Sequence, residues 1–114
     1  MNWKSIRLEL GRTGDFPAGS VSRAYLLRVP LDDQDMIDVR AFDRDPHRAV
    51  VRRHWSTEPD ERGHIVRSDR EWQFRCNGRV RSVLLDHSPI RLGAEVSVVD
   101  SDGSTLPFRI ASIR

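Results

Sequence analysis

EWQFRCNGRVRSV, residues 71–83, places two alternating runs on either side of Asn77-Gly78, and two kinds of turn fit the same letters. A two-residue type I′ turn sets Cys76 opposite Arg79, Phe74 opposite Arg81 and Trp72 opposite Val83, so both aromatics share a face with two guanidinium groups. A three-residue turn over Cys76-Asn77-Gly78, with Gly78 left-handed as a bulge, sets Phe74 opposite Val80 and Trp72 opposite Ser82. It sends Arg75, Arg79 and Arg81 outward. One residue of slip therefore separates an exposed aromatic and arginine platform from an apolar core. Burying an aromatic is worth about 2–3 kcal/mol and an exposed cation–π contact about 0.5–1 kcal/mol, which favours the bulged register with its enclosed aromatics.

The same period of two runs through the rest of the chain. In Trp3 to Leu10, Ile6, Leu8 and Leu10 share one face while Arg7 and Glu9 share the other, as a strand with one wet side requires. Pro17 and Gly19 mark a loop, and a second strand follows at about Arg23 to Val29 with Tyr25, Leu27 and Val29 on one side. VVRRHW, residues 50–55, puts Val51, Arg53 and Trp55 on one face and Val50, Arg52 and His54 on the other. Neither face is purely apolar, so this strand is expected at an edge or rim, its arginine stems covering apolar neighbours. STEPDERG reads as a polar loop ending in Gly63. Asn77-Gly78 and Asp102-Gly103 are hairpin signals, and Pro107 suits an edge or a bulge.

The alternation breaks only in residues 31–49. There Asp35 or Asp38 can cap a short helix running to Arg44, with Ile37, Ala41 and Phe42 turned inward, and Asp45-Pro46 ends it. Together these elements predict one all-β domain over residues 1–114. The expected form is a small, strongly bent antiparallel barrel of about seven or eight strands with one short helix over an open end; a two-sheet sandwich is the alternative.

Composition narrows the function classes. Of 19 basic residues only Lys4 is a lysine, but 17 acidic residues accompany them and the net charge is +2, which supports nucleic-acid binding only weakly. Cys76 is the single cysteine, so an internal disulfide and a thiolate-rich metal site are excluded. No run approaches the roughly 20 apolar residues of a membrane span, and MNWKSIRLEL lacks a signal-peptide core. A reducing cytoplasm is the expected address.

No reaction class stands out. His47, His54, His64 and His87 are irregularly spaced and form no HxH or HxxxH pair, so no metal is expected. Asp32, Asp33, Asp35 and Asp38 lack the glycine and terminal glutamate of a calcium loop. Asp86-His87-Ser88 has the residue types of a hydrolytic triad, but sequence neighbours cannot point at one another as a triad must. Gly11-Arg12-Thr13-Gly14 follows a strand and opens no helix, so it is not a phosphate loop. No catalytic residue and no cofactor is assigned.

LELGRTGDFPAGS near the start, VRRHW in the middle and RLGAEVSVVDSDGSTLPFRIASI at the end together resemble a family of small bacterial all-β proteins with no established activity. The resemblance spans most of the chain. It implies an all-β fold and, because its motifs are loop and hairpin sequences, no site residues. The expectation that results is a small binding or interaction module for a protein or small ligand, monomeric or weakly dimeric and not membrane-bound. A second reading is a nucleic-acid-binding barrel face made by Arg52, Arg53, Trp55, Trp72, Arg75 and Arg81. A third is a small enzyme using His54 or His87 with an acidic neighbour.

Overall fold

The alternating runs become eight antiparallel strands in a computed structural model, which describes residues 2–69, 71–85 and 88–114. The strands are β1 (Asn2–Leu10), β2 (Ser20–Leu31), β3 (Val50–Trp55), β4 (Glu58–Ser68), β5 (Glu71–Cys76), β6 (Arg79–Val83), β7 (Glu95–Val99) and β8 (Thr105–Ile113). Each pairs with the next, and β8 returns to β1, so the sheet closes in chain order as an up-and-down barrel. Closure is what lets alternation work here: every strand has one face turned to a common dry interior. Ile6, Leu8, Tyr25, Leu27, Phe74 and Phe108 are among the side chains that fill it.

The short helix α1 (Val39–Arg44) forms where the period of two breaks. Asp38 caps it, its Oδ1 accepting from the Ala41 amide at 3.1 Å. The cap orients Ala41 and Phe42 inward, and the Phe42 ring meets Trp72 edge-on with centroids 4.9 Å apart. One 3-10 turn over Pro46–Arg48 then leads into β3. This end of the barrel is plugged; the other carries the tight turns β3–β4 and β5–β6 and the β7–β8 loop. No helix is long and apolar enough to cross a membrane.

Three expectations need correction. At Asn77-Gly78 the two-residue turn is the one adopted: both residues have positive φ (50° and 79°), and Trp72 faces Val83 and Phe74 faces Arg81. The aromatics are enclosed all the same, because Arg81 goes inside with them and is only 1% exposed. The choice between an apolar core and an arginine-bearing face was a false one, since the interior supplies carboxylates for the guanidinium. Secondly, β3 is no edge or rim strand. It is flanked by β2 and β4, although its two faces divide as the alternation predicts. Pro107 likewise lies on no free edge: it pairs with Ser97, and its carbonyl accepts from the Gly11 amide where β8 runs past the end of β1. Thirdly, STEPDERG is not a loop, for only residues 56 and 57 lie between β3 and β4 and the rest is strand.

Gly63 explains how β4 bends. It pairs with Val51 on one side and Cys76 on the other, and a Cβ there would overlap the Arg75 carbonyl. Only glycine allows the two backbones to approach so closely.

Candidate anion-binding groove

Antiparallel strands set outward residues in rows across the sheet, one side chain per strand and about 4.8 Å apart. The first row here is Ser112, Arg7, Leu26, Arg52 and Arg62, crossing β8, β1, β2, β3 and β4. Beside it, Ser5 pairs with Arg28, and Val50 pairs with His64, which pairs in turn with Arg75. These strands enclose a groove of about 930 Å³ on the outer face, lined by five arginines, Arg7, Arg28, Arg52, Arg62 and Arg114, and by no aspartate or glutamate. With five of the 19 basic side chains in the groove, the rest of the chain holds fourteen basic groups against 17 acidic ones. A small net charge thus conceals a local concentration of arginines.

The arginines are held to different degrees. Arg7 is tied down, its Nε donating to Glu9 Oε2 at 2.8 Å and its Nη2 to the Val21 carbonyl at 2.7 Å. Arg28 donates to Ser5 Oγ at 3.1 Å, and Arg52 Nε lies 3.7 Å from Asp60 Oδ2. Among the described residues no carboxylate forms an ion pair with Arg28 or Arg62. Arg52 and Arg62 are directly opposite one another, an arrangement that destabilises a sheet unless something neutralises it. Asp60 offsets the Arg52 charge in part, and no carboxylate among the described residues pairs with Arg62.

Beneath this face, inside the barrel, the inward partners of the same strands form an ion cluster. Arg53 Nη1 donates to Glu58 Oε2 at 2.8 Å and to Glu61 Oε2 at 3.3 Å; Arg81 donates through Nη1 to Glu61 Oε1 and through Nε to Asp100 Oδ2, both at 3.1 Å. Glu61 is thereby a buried bridge between two guanidiniums. Burial works against the charge of Arg81, but Tyr25, Glu61 and Asp100 more than offset it and hold its pKa above the usual arginine range. Burial also pushes the Tyr25 hydroxyl up, against the pull of Arg81 and Arg53. The Asp100 carboxyl, raised by burial, is nevertheless held low by the Ser101 amide and Arg81. The hydrogen bond from Arg53 lowers Glu58. Arg53 Nε and Arg81 Nη2 have no partner. With three carboxylates around two guanidiniums, this cluster is structural in character. It pins β6 to β4 and to the β7–β8 loop at a seam where β6 and β7 share only two residue pairs.

The six residues expected to form a nucleic-acid face are therefore divided. Arg52 lies in the groove. Arg75 is outside, opposite His64, and donates to Gln73 Oε1 at 3.0 and 3.2 Å. Arg53, Trp55, Trp72 and Arg81 point inward: Trp55 packs under the Arg53 guanidinium at 4.0 Å near Phe108, and Trp72 sits against the helix at the other end. Trp72 is 2% exposed and Trp3 8%. Among the described residues these tryptophans form no exposed platform, because closure turned their face inside, with Trp55 partly buried against the core.

Sequence reasoning missed Arg7, Arg28, Arg62 and Arg114 in the groove and Glu61 in the cluster. Arg7, Arg28 and Arg62 each occupy an outward position of their own strand, which alternation could have found, and Arg114 follows the end of β8; their convergence depends on cross-strand register. Glu61 was hidden by the polar composition of STEPDERG. His54 Nδ1 lies 2.9 Å from Asp60 Oδ1, yet this pair is open to solvent and does not line the groove. His87 and Asp86 lie outside the described residues. No three His, Cys, Asp or Glu side chains among the described residues could hold a metal ion. Cys76 is buried, and burial pushes its thiol up.

Fold and groove together define a closed up-and-down β-barrel with an arginine-lined outer face. Comparison with protein-family models, with curated proteins and with solved structures finds no match to this chain.

Proposed function

We propose that the protein is a binding module that takes an anionic ligand in the outer groove. The observation that carries this reading is the opposed pair Arg52 and Arg62 in a concave surface lined by arginines and free of carboxylate side chains. Guanidinium groups fork onto phosphate or carboxylate oxygens through two parallel N–H donors, and a concave wall of one sign concentrates oppositely charged ligands. Leu26 and Val50, together with the arginine stems, give the groove an apolar lining that keeps the local dielectric low.

Titration with inorganic polyphosphate at low salt tests the proposal. Wild type binds, and Arg28→Gln and Arg62→Gln each weaken binding several-fold. Arg91→Gln, whose guanidinium pairs with Asp35 away from the groove, leaves it unchanged. Equal binding by all four proteins would place the anion elsewhere and end this reading.

A further inference from the structure

We infer that the ligand of the groove is a nucleic-acid duplex, held by its phosphate backbone without readout of its bases; this rests on the anion-binding reading above. Three features of the groove lead there. The first is extent. The row from Ser112 to Arg62 spans four strand spacings, about 19 Å, which exceeds a single small anion and suits a ligand with repeated charge. Along it Arg7 and Arg52 are two strands apart, with Arg62 the next neighbour, so the donors are distributed and not gathered at one point.

The second feature is the absence of stacking surfaces. Among the described residues no phenylalanine, tyrosine or tryptophan lines the groove, and His64 is its one ring. All three tryptophans are turned inward or packed on the core, so successive unpaired bases find no row of rings to lie on. A single strand gains most of its sequence-tolerant affinity from such rings. A duplex needs none, because its bases stack on each other. It also offers a denser line of charge, about one per 1.7 Å of axis. A convex backbone ridge is the shape that a concave face complements.

The third feature concerns the polar groups present. Asparagine and glutamine, which recognise adenine in pairs of hydrogen bonds, are missing from the lining, as are the carboxylates that accept from cytosine. What remains are arginines, serines and one histidine, all of which serve phosphate oxygens; arginine also forks onto guanine, so backbone binding without base readout rests on the lack of any other base reader beside it.

The test compares a short mixed-sequence duplex, its separated strands and polyglutamate by fluorescence anisotropy across a salt series. The duplex should bind more tightly than either strand, show no preference among sequences, and give a log–log salt slope of about −3.6 to −4.5 if four or five phosphates are contacted. Arg28→Gln and Arg62→Gln should each make that slope shallower by about 1. Tighter binding of a single strand would overturn the inference, as would duplex binding that Arg62→Gln leaves intact. Binding of polyglutamate or polyphosphate but not duplex overturns the inference and leaves the anion-binding reading standing. Failure of every polyanion at low salt, with circular dichroism showing the barrel intact, removes both.

Discussion

Arg52 stands directly opposite Arg62 on the outside of the barrel, and one residue along the same two strands Arg53 stands opposite Glu61 on the inside. Two adjacent arginines in one short strand thus face opposite electrostatic conditions. The inner one is neutralised by Glu58 and Glu61, and the outer one confronts a like charge with only the looser pairing to Asp60 at 3.7 Å. Folding accounts for the first pair, and the second is the one that the proposed anionic ligand would neutralise.

The outer pair should therefore cost stability. Arg62→Gln is expected to stabilise the protein by about 0.2–1 kcal/mol at low ionic strength while weakening anion binding. Urea unfolding at two salt concentrations checks this, because screening should shrink the stability difference. A loss of stability on substitution would show that Arg62 has a folding role.

Arg81 should behave in the opposite way. Arg81→Met leaves Glu61 and Asp100 without one of their guanidiniums inside or at the mouth of the barrel, and a loss of about 3–5 kcal/mol is expected. Arg79→Met, on the exposed turn side of the same strand, should change stability by no more than about 0.5 kcal/mol. Similar small effects from both would mean that Arg81 does not pin the seam.

Acid should loosen the same end of the barrel. Asp100 and Glu58 have carboxyls lowered in the folded state from 3.8 and 4.5, so the folded protein binds their protons more weakly than the unfolded chain does. Their contribution is complete above those ordinary values and fades as pH falls through the lowered folded ones. Asp100→Asn should flatten the acid limb of a stability profile measured between about pH 5 and pH 2, around the ordinary carboxylate range. A limb of unchanged steepness would exclude Asp100 from the transition.

Tyr25 is the only tyrosine, so an ultraviolet absorbance titration reads its hydroxyl alone. Burial raises its pKa from 10.0, which means ionisation should begin at higher pH than in the unfolded chain. Stability from the neutral hydroxyl is full below pH 10.0 and is lost as pH rises through the folded value. Because Arg81 and Arg53 pull the value down, Arg53→Met should shift the folded midpoint further up.

Gly63→Ala should be among the most disruptive of small substitutions. The added methyl group meets the Arg75 carbonyl and the Cys76 Cα, both backbone atoms that cannot swing aside. A loss above about 3 kcal/mol is expected in chemical denaturation, the range that marks a backbone forced to move.

Much of the architecture was legible in the residues. Alternation identifies Ile6, Leu8, Tyr25 and Leu27 as inward, and of the two aspartates that could start the helix Asp38 is the cap, because strand sidedness and helix capping are local properties. The first half of β4 was not legible, since it is polar and its inward Glu61 looks like a loop residue until Arg53 and Arg81 are beside it. The turn at Asn77-Gly78 was ambiguous for a related reason. Weighing aromatics against arginines assumed that a guanidinium must face water, whereas Glu61 follows Arg53 and Arg81 indoors and Glu58 and Asp100 meet them at the mouth of the barrel.

By itself the sequence determined which side chains of each strand lie together, because successive residues of an extended chain point to opposite faces whatever surrounds them. Which face becomes the interior, and which arginines of separate strands meet, was decided only when β8 closed against β1 and fixed the register of the ring. Arg7, Arg28, Arg52 and Arg62 belong to four different strands, and nothing short of that pairing brings them into one groove.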